Sequence, residues 1–336
     1  MLSGNLSGPV LVTGATGFIG RRVVHQLLRS GQAVTALVLP EEDIPGEWGQ
    51  AVEVIRGSIT EPAAVTRAAA GAGTIIHLAA VVSDWGDEAL FWRLTVEGSR
   101  LLFEQAVKND CRLVLASSII VYGDNIRQGP CPEETTYGKT FGPYGRTKQA
   151  QEKLAWKFYR ELGLRLTVVR PANVYGPGSG PWLHDIVNVL KTGAPGLISK
   201  GRGKAGLAYV DNVADVLIRA GGRDQAVGRA YNACDELDVT WHRYFSDLAA
   251  MIGVGRPASV PRPAAVVGAF AMEAAWKAFG VKKRPPLTRE ALNLIGSDNR
   301  VPADRVRAEL GYEPRVGYAE GMAATRTYLD QWMEVS

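Results

Sequence analysis

The sequence predicts an α/β fold in which a doubly wound parallel sheet is covered by helices on both faces. Three observations predict it. Strand and helix patterns alternate through the first half of the chain, the strand segments are continuous apolar runs, and a glycine-rich turn joins the first strand to the first helix. Parallel neighbours need a crossover between them, so this order predicts βαβ units with right-handed connections.

The predicted strands are short runs of β-branched and apolar residues at 10–12, 33–39, 52–55, 74–78, 113–116, 166–169 and 230–233. Helical periodicity covers 19–28, 63–70, 91–108 and 144–162, and residues 208–220 read as a strand followed by a helix. Gly31 and Gly163 follow two of these helices, where glycine commonly ends a helix.

The pattern loosens after Pro171. Glycine and proline predict loops at 173–180 and 200–206, and proline-rich linkers at 257–263 and 285–286. From Val239 onward the chain is mainly helical. We therefore predict a larger domain at 8–174, to which 205–235 returns, and a smaller, mainly helical substrate-binding domain at 175–204 and 236–332.

The apolar segment 264–279 is interrupted by Glu273 and Lys277 and is too short to span a bilayer. It predicts an amphipathic helix that covers a substrate pocket. Contact with a membrane surface is the alternative interpretation.

The composition argues against several classes of protein. The net charge is only +4, and the longest basic run, 282–284, has three residues, so no nucleic-acid partner is expected. Three dispersed cysteines and four dispersed histidines predict no metal site and a reducing compartment. Residues 1–9 contain neither a charged leader nor a long apolar run, so we expect no signal peptide and a cytoplasmic location.

The turn after the first strand has glycines at every third position: Gly14, Gly17 and Gly20. The first permits a tight turn, the second a close approach of the backbone to a pyrophosphate, and the third close packing of helix on strand. The helix start then offers free N–H groups and a positive dipole end. This context predicts a Rossmann-type dinucleotide site that includes Thr16, Phe18 and Ile19.

Tyr144 and Lys148 lie four positions apart at the start of a predicted helix, so their side chains share one face. A phenol with a free pKa near ~10 transfers protons near neutral pH only if a positive charge lowers that pKa. We predict that Lys148 lowers the pKa of Tyr144, which then acts as a general acid/base. A plain surface pair is the alternative.

Several further motifs occur in order along the chain. They are His77-Leu78-Ala79-Ala80, Ser117-Ser118 with Val121-Tyr122-Gly123, Tyr144-Gly145-Arg146-Thr147-Lys148, Arg170-Pro171-Ala172-Asn173-Val174-Tyr175-Gly176-Pro177 and Tyr209-Val210-Asp211-Asn212-Val213. With the glycine turn, they make nearly the whole chain resemble the extended short-chain dehydrogenase/reductases of the NAD-dependent epimerase/dehydratase superfamily.

The resemblance implies a nicotinamide cofactor and a catalytic serine four residues before Tyr122, which is Ser118, with Ser117 as the minor alternative. Beyond the glycine turn and the pair Tyr144 and Lys148, it implies cofactor contacts from Ser58, Ile59, Leu78, Ala79, Ala80, Ser117, Pro171, Asn173 and Val174. The chain departs from the family pattern at Ser58, where relatives have Asp, and at Thr95, where many have Asn.

The family positions that contact the cofactor ribose are occupied here by Val38 and Leu39, which bind neither a 2′-hydroxyl, as an acidic residue does, nor a 2′-phosphate, as a basic residue does. These positions therefore do not distinguish NAD(H) from NADP(H). Glu41, Glu42 and Asp43 follow closely and would repel a 2′-phosphate, which favours NAD(H). A solvated acidic turn is an equal alternative for these three residues.

Within the family, Gly201-Arg202-Gly203-Lys204 and the segments 230–235, 239–241 and 310–316 resemble the 3β-hydroxysteroid dehydrogenase group. That resemblance implies hydride transfer to or from a secondary hydroxyl or keto group of a small hydrophobic substrate, and a homodimer. A sugar-nucleotide epimerase or dehydratase is the alternative, although its Arg-Asp-Phe mark is replaced by Gly206-Leu207-Ala208. A non-catalytic dinucleotide-sensing or scaffold protein is a third possibility. The aromatic residues Trp182, Trp241, Trp276, Phe270 and Phe279 either line a pocket or pack in the core.

Overall fold

The computed structural model describes residues 6–335 and contains a seven-stranded sheet in which every neighbouring pair is parallel. The strands of the chain are β1 Val10–Thr13, β2 Val34–Val38, β3 Val52–Arg56, β4 Thr74–His77, β5 Arg112–Ala116, β6 Arg165–Pro171, β7 Asn173–Tyr175, β8 Leu197–Ile198, β9 Leu207–Tyr209, β10 Arg229–Ala233 and β11 Ser259–Val260. The order in the large sheet is β10-β6-β5-β4-β1-β2-β3. The predicted doubly wound Rossmann fold is confirmed.

Burial explains why the central strands lack the alternation of polar and apolar residues. Every residue of β1, β2, β4 and β5 is buried, because helices cover both faces of the sheet. The chain reverses its direction of winding between β1 and β4, and ligands bind at the carboxyl ends of strands at such a point.

The helices are α1 Phe18–Arg29, α2 Pro62–Ala69, α3 Glu88–Phe91, α4 Gly98–Lys108, α5 Pro143–Leu162, α6 Asp185–Lys191, α7 Val210–Gly221, α8 Trp241–Met251, α9 Arg262–Ala278, α10 Arg289–Ile295, α11 Asp304–Leu310 and α12 Tyr318–Val335. Pro143 occupies the first turn of α5, and Gly163 ends that helix in the left-handed conformation with φ 73°. The single helix predicted at 91–108 is instead α3 and α4 joined by a wider π-helical turn, Trp92–Glu97.

Two predicted irregular segments are wrong in part. The predicted loop 173–180 begins with β7, which pairs in parallel with β9, and the predicted linker 257–263 contains β11, which pairs with β8. Both strands are too short for a local pattern to reveal, and they exist because of partners distant in sequence.

The predicted helix at 264–279 is present as α9, and its C-terminal half, through Glu273 and Trp276, lines a cavity. Its buried residues are Ala265, Ala269 and Glu273, whereas the larger side chains Val267 and Phe270 are exposed.

Among residues 6–335 no helix is both long and apolar enough to cross a membrane. Residues 1–9 were expected to contain no signal peptide, and the first five of them lie outside the described residues. The division into two domains stays a prediction.

A buried ion pair ties α5 to the sheet. The Arg170 guanidinium of β6 and the Glu152 carboxylate of α5 approach to 2.5 Å, and their side chains are 5% and 0% exposed. The same carboxylate accepts hydrogen bonds from the Ser117 hydroxyl at 2.5 Å and the Tyr137 hydroxyl at 3.0 Å. Glu152 therefore fixes α5 against the ends of both β5 and β6.

We expect Glu152→Gln to lower the free energy of unfolding by about 3–5 kcal/mol, because it leaves the Arg170 charge buried without a counter-charge. Urea denaturation measures the loss. Glu161→Gln is the control on the same helix. Its side chain is 57% exposed and lies 3.8 Å from Lys157, so a change within about 0.5 kcal/mol is expected. Equal losses in the two variants would contradict the assigned role of the pair.

Candidate active site

The glycine turn after β1 forms a cradle in which side chains have little room. Gly14 adopts φ +65°, and a Cβ there would lie 2.9 Å from the Ala79 nitrogen. A Cβ at Gly20 would lie 2.0 Å from the Gly14 carbonyl oxygen, so a larger residue would displace α1. The first turn of α1 has neither an acidic residue nor a side-chain cap at Gly17. Its free N–H groups fit a dinucleotide pyrophosphate.

The other predicted cofactor residues at this edge lie next to the cradle. Thr16, Phe18 and Ile19 belong to the turn and the first turn of α1, and Leu78 to Ala80 follow β4, the neighbour of β1. The Leu78 N–H donates to the Thr13 carbonyl at 3.2 Å.

An acidic side chain that the family pattern does not include reaches the cradle from the turn after β2. The Thr16 hydroxyl donates to Glu42 Oε2 at 2.6 Å. Arg56 of β3 donates to the Pro40 carbonyl at 2.8 Å and the Glu42 carbonyl at 3.1 Å, which holds this turn. Of the three acidic residues considered from the sequence, Glu42 is therefore the one that faces the cofactor cradle.

Ser58 and Ile59 lie at the end of β3. The Ser58 hydroxyl bonds to the Thr60 hydroxyl at 2.8 Å and accepts from the Thr60 N–H at 3.2 Å, so its side chain stabilises its own turn. Ile59 is buried beside α4, where a Cβ on Gly98 would lie 2.8 Å from its side chain.

Two other predicted contact residues use their side chains inside the protein. Ser117 bonds to Glu152, and the Asn173 amide donates to the Ala205 carbonyl at 2.6 Å. Pro171 ends β6, and Val174 is buried in β7. The backbone N–H groups of Ser117 and Asn173 also donate inside the protein, to the Val169 and Gly206 carbonyls at 2.7 and 2.9 Å.

Ser118 and Tyr144 meet at the carboxyl end of the sheet. Ser118 follows β5 and Tyr144 lies in the first turn of α5, where the Ser118 side chain is near enough to the Tyr144 phenol to influence its pKa. Burial raises the pKa of Tyr144 to about 12. The Ser118 side chain acts in the opposite direction, and the charge of Glu290 raises the pKa further.

The prediction that Lys148 lowers the pKa of Tyr144 is wrong for the protein alone. Burial lowers the pKa of Lys148 itself to about 7, opposed by the charge of Glu152, and Lys148 is not among the groups that shift the pKa of Tyr144. Its ammonium donates to the Ala116 carbonyl at 2.8 Å and to Gln151 Oε1 at 2.9 Å. The lysine is thus held by the end of β5 and by its own helix.

Behind Lys148 a chain of buried polar groups leads back to the cradle. The Gln151 amide donates to the Ser99 hydroxyl at 2.7 Å, and Ser99 donates its one proton to the Thr95 carbonyl at 2.5 Å. His77 Nε2 lies 2.8 Å from the same hydroxyl and must therefore be the donor.

The Nδ1 atom of His77 makes the last hydrogen bond of this series. Because Nε2 carries the proton, Nδ1 accepts from the Thr13 hydroxyl at 2.7 Å, and that hydroxyl accepts from the Ala79 N–H at 3.3 Å. Burial, then the charge of Lys148, lowers the pKa of His77 to about 3, which keeps the ring neutral. Sequence patterns indicated His77 as a motif residue but gave no sign of Gln151 or Ser99 as its partners.

Glu290 of α10 closes the amino end of α5. Its carboxylate accepts from the Gly142 N–H at 2.6 Å and the Gly145 N–H at 3.3 Å. A Cβ at either glycine would lie within 3 Å of Glu290 Oε2, so both glycines are required for the contact. Burial, then the charge of Asp84, raises the pKa of Glu290 to about 7, and the two backbone hydrogen bonds oppose that rise.

A cavity of about 630 Å³ lies outside this helix end, between the segment after β4 and α9. Its walls include Trp85, Phe141, Pro143 and Trp276. Of the other aromatic residues considered from the sequence, Trp182 and Trp241 pack together with ring centroids 5.3 Å apart, while Phe270 and Phe279 are exposed.

Comparison with known proteins agrees with this architecture. The sequence model of the "NAD dependent epimerase/dehydratase family" matches residues 10–234. A ketoreductase of Stigmatella aurantiaca that acts on 4-hydroxy-2-methyl-3-oxo-4-farnesyl-3,4-dihydroquinoline-1-oxide is 26% identical over 325 residues, which cover 94% of this chain and 95% of that protein.

Two further similarities represent the two groups considered from the sequence. The 3beta-hydroxysteroid-dehydrogenase/decarboxylase isoform 1 of Arabidopsis thaliana is 26% identical over 343 residues, covering 94% of this chain and 78% of that protein. The solved structure of MoeE5 in complex with UDP-glucuronic acid and NAD has a TM-score of 0.73 and 26% identity, covering 97% of this chain and 100% of that chain.

Replacing Glu290 by Gln should lower the pKa of Tyr144, because the substitution removes the negative charge that opposes ionisation of the phenol. The measurement is an ultraviolet titration of tyrosinate in this variant, from which the titration of Glu290→Gln/Tyr144→Phe is subtracted. Glu88→Gln is the matched control, since its charge is not among the causes that shift the pKa of Tyr144. A Tyr144 midpoint that does not change in Glu290→Gln would refute the coupling.

Proposed function

The chain belongs to the NAD-dependent epimerase/dehydratase family, and we propose that it transfers a hydride between a nicotinamide and a secondary hydroxyl or keto group of a hydrophobic substrate. It is an NAD(P)-dependent enzyme of the short-chain dehydrogenase/reductase type. The proposed substrate class is a sterol-like or long-chain 3-oxo compound. The observation that carries the proposal is the Ser118–Tyr144 hydroxyl pair beside the cofactor cradle.

In this proposal each hydroxyl has a separate task. When bound, the nicotinamide supplies or accepts the hydride. Tyr144 gives a proton to the substrate oxygen during reduction and takes it back during oxidation. Ser118 donates to the same oxygen and orients it. Because the pKa of Tyr144 is about 12, the phenol is protonated at neutral pH, a state that favours ketone reduction.

Lys148 has two of its three ammonium protons committed to Ala116 and Gln151, which leaves one for a ligand. In the proposed complex that proton binds the cofactor ribose. The glycine turn and the start of α1 hold the pyrophosphate.

The substrate side is proposed to come from residues 175–204 and 236–332. The cavity beside Pro143 supports this, because its walls combine the segment after β4 with α9. Three of the wall side chains there are the aromatic rings of Trp85, Phe141 and Trp276, which suit an apolar ligand.

A sugar-nucleotide epimerase or dehydratase is the second candidate, favoured by the similarity to MoeE5 with its UDP-glucuronic acid. Against it, Gly206-Leu207-Ala208 stands before Tyr209 where that group usually has Arg-Asp-Phe. Titration with UDP- and dTDP-sugars distinguishes the two, because only the second candidate requires that they bind.

Glu42 supports NAD(H) rather than NADP(H) as the cofactor that is used. Its carboxylate contacts Thr16 in the cradle, where it would lie close to an added 2′-phosphate and repel it. The predicted homodimer and cytoplasmic location stay predictions.

Tyr144→Phe should lower kcat for reduction of a hydrophobic ketone by about 10²- to 10⁴-fold, because the variant removes the proton donor. NADH binding, followed by the fluorescence of the reduced cofactor, should not change. Tyr159→Phe is the control on the same helix, since that ring is 37% exposed. Full turnover by Tyr144→Phe would overturn the proposed role.

Glu42→Ser should tighten NADPH binding by about tenfold or more, because the repelling carboxylate is gone. NADH binding should change much less. Fluorescence titrations with both cofactors measure the ratio, and Asp43→Ser serves as the neighbouring control because Asp43 is exposed. An unchanged ratio of the two affinities in Glu42→Ser would count against this assignment.

A further inference from the structure

Helix α9 presents an apolar side to solvent. Val267, Phe270, Ala271, Ala274 and Ala278 recur at helical spacing and are all exposed, Val267 by 69% and Phe270 by 62%. No polar residue interrupts this stripe. The buried side of α9 is also mostly apolar, because Ala265 and Ala269 pack in a small core cluster, so the exposed stripe is additional to the one that faces the core.

The apolar surface continues past the end of the helix. Phe279 is 82% exposed and Val281 is 38% exposed. We name Val266, Val267, Phe270, Ala271, Ala274, Ala278, Phe279 and Val281 together the α9 face. Contiguous exposed apolar surface of this kind is typical of an interaction site.

The α9 face is bordered by positive charge. Lys277, Lys282 and Lys283 are exposed, and within residues 6–335 no carboxylate oxygen lies within 4 Å of their ammonium groups. From Arg262 to Arg289 the sequence has six basic residues and one acidic residue, Glu273. That carboxylate pairs with Arg289 at 2.7 Å, so it does not neutralise the lysines.

We propose that the α9 face docks on the surface of a bilayer that contains anionic phospholipid. An apolar helix face with exposed phenylalanine and neighbouring lysines is the signature of a helix that lies in the interface plane. The apolar side chains enter the boundary between headgroups and acyl chains, while the lysines attract the negative surface. Each lysine near such a surface strengthens binding by about fivefold.

The charge argues against a second copy of the chain as the occupant. A two-fold symmetric contact brings the same patch of both subunits together. Lys277, Lys282 and Lys283 would then face the same three residues of the partner. The neighbouring carboxylates Asp87 and Glu88 are on the cavity wall shared with Lys277 and Lys282, and α9 itself contributes only Glu273, which is paired with Arg289. An anionic lipid surface neutralises these charges instead.

A cavity that adjoins the α9 face gives the docking a use, since Val281 of that face is also one of its wall residues. Trp276 and Lys277 line the cavity that borders Gly142 and Pro143 at the start of α5. When the protein is docked through the α9 face, the opening of this cavity lies next to the lipid. A hydrophobic molecule dissolved in the bilayer then reaches the cavity without crossing water. The docking itself does not depend on the proposed function.

Sedimentation with vesicles tests the proposal. We expect the full chain to sediment with vesicles of phosphatidylcholine and phosphatidylglycerol, and to bind pure phosphatidylcholine much more weakly. Lys277→Gln/Lys282→Gln/Lys283→Gln should weaken binding to the anionic vesicles by about 100-fold, from about fivefold per lysine. Phe270→Ser/Phe279→Ser should weaken binding to both kinds of vesicle.

The control is Leu162→Ser, which removes a side chain 54% exposed at the end of α5 and should not alter binding. Circular dichroism checks that all variants fold. Absence of binding to anionic vesicles would overturn the proposal. So would equal binding by the triple lysine variant, or a light-scattering mass of a dimer that Phe270→Ser/Phe279→Ser converts to a monomer.

Discussion

The ion pair between Glu152 and Arg170 fixes the position of helix α5, on which the candidate active site depends. It is fully enclosed, and each charge is buried only because the other is present. Through it α5 is held against β6, and through the Ser117 hydroxyl the same carboxylate reaches the end of β5. Lys148 lies one helical turn before Glu152 and Tyr144 one turn earlier still. The placement of both side chains beside the sheet edge follows from the docking of this helix.

A network of buried hydrogen bonds is the second constraint on the position of Lys148. The hydrogen bonds from Lys148 through Gln151, Ser99 and His77 to Thr13 have only one consistent set of donors, because the Ser99 proton is used by the Thr95 carbonyl. That set makes Nε2 of His77 a donor, and burial keeps the ring neutral, so Nδ1 accepts from the Thr13 hydroxyl. The chain joins the catalytic helix to the end of β1, where the cofactor cradle begins. The lysine position and the cradle are therefore built on one continuous network.

Features that depend on residues close together in the sequence are predictable from it, whereas contacts between residues far apart in the sequence are not. The sheet, the glycine turn and the Tyr144–Lys148 spacing follow from local periodicity and glycine placement. Glu290 caps a helix that begins 147 residues earlier, and Gln151 meets Ser99 across two helices, so neither contact has a local signal. The pKa of Tyr144 is raised rather than lowered, and the sequence did not predict this, because the spacing shows that a lysine is near but not that burial dominates the pKa of both groups.

The C-terminal part of the chain connects its exposed surface with the phenol. Glu273 of α9 accepts from the Arg289 N–H at 2.6 Å and from its guanidinium at 2.7 Å. The next residue, Glu290, holds the amino end of α5 and raises the pKa of Tyr144. Two buried carboxylates, Glu273 and Glu290, therefore connect α9 with the first turn of the catalytic helix through the adjacent residues Arg289 and Glu290.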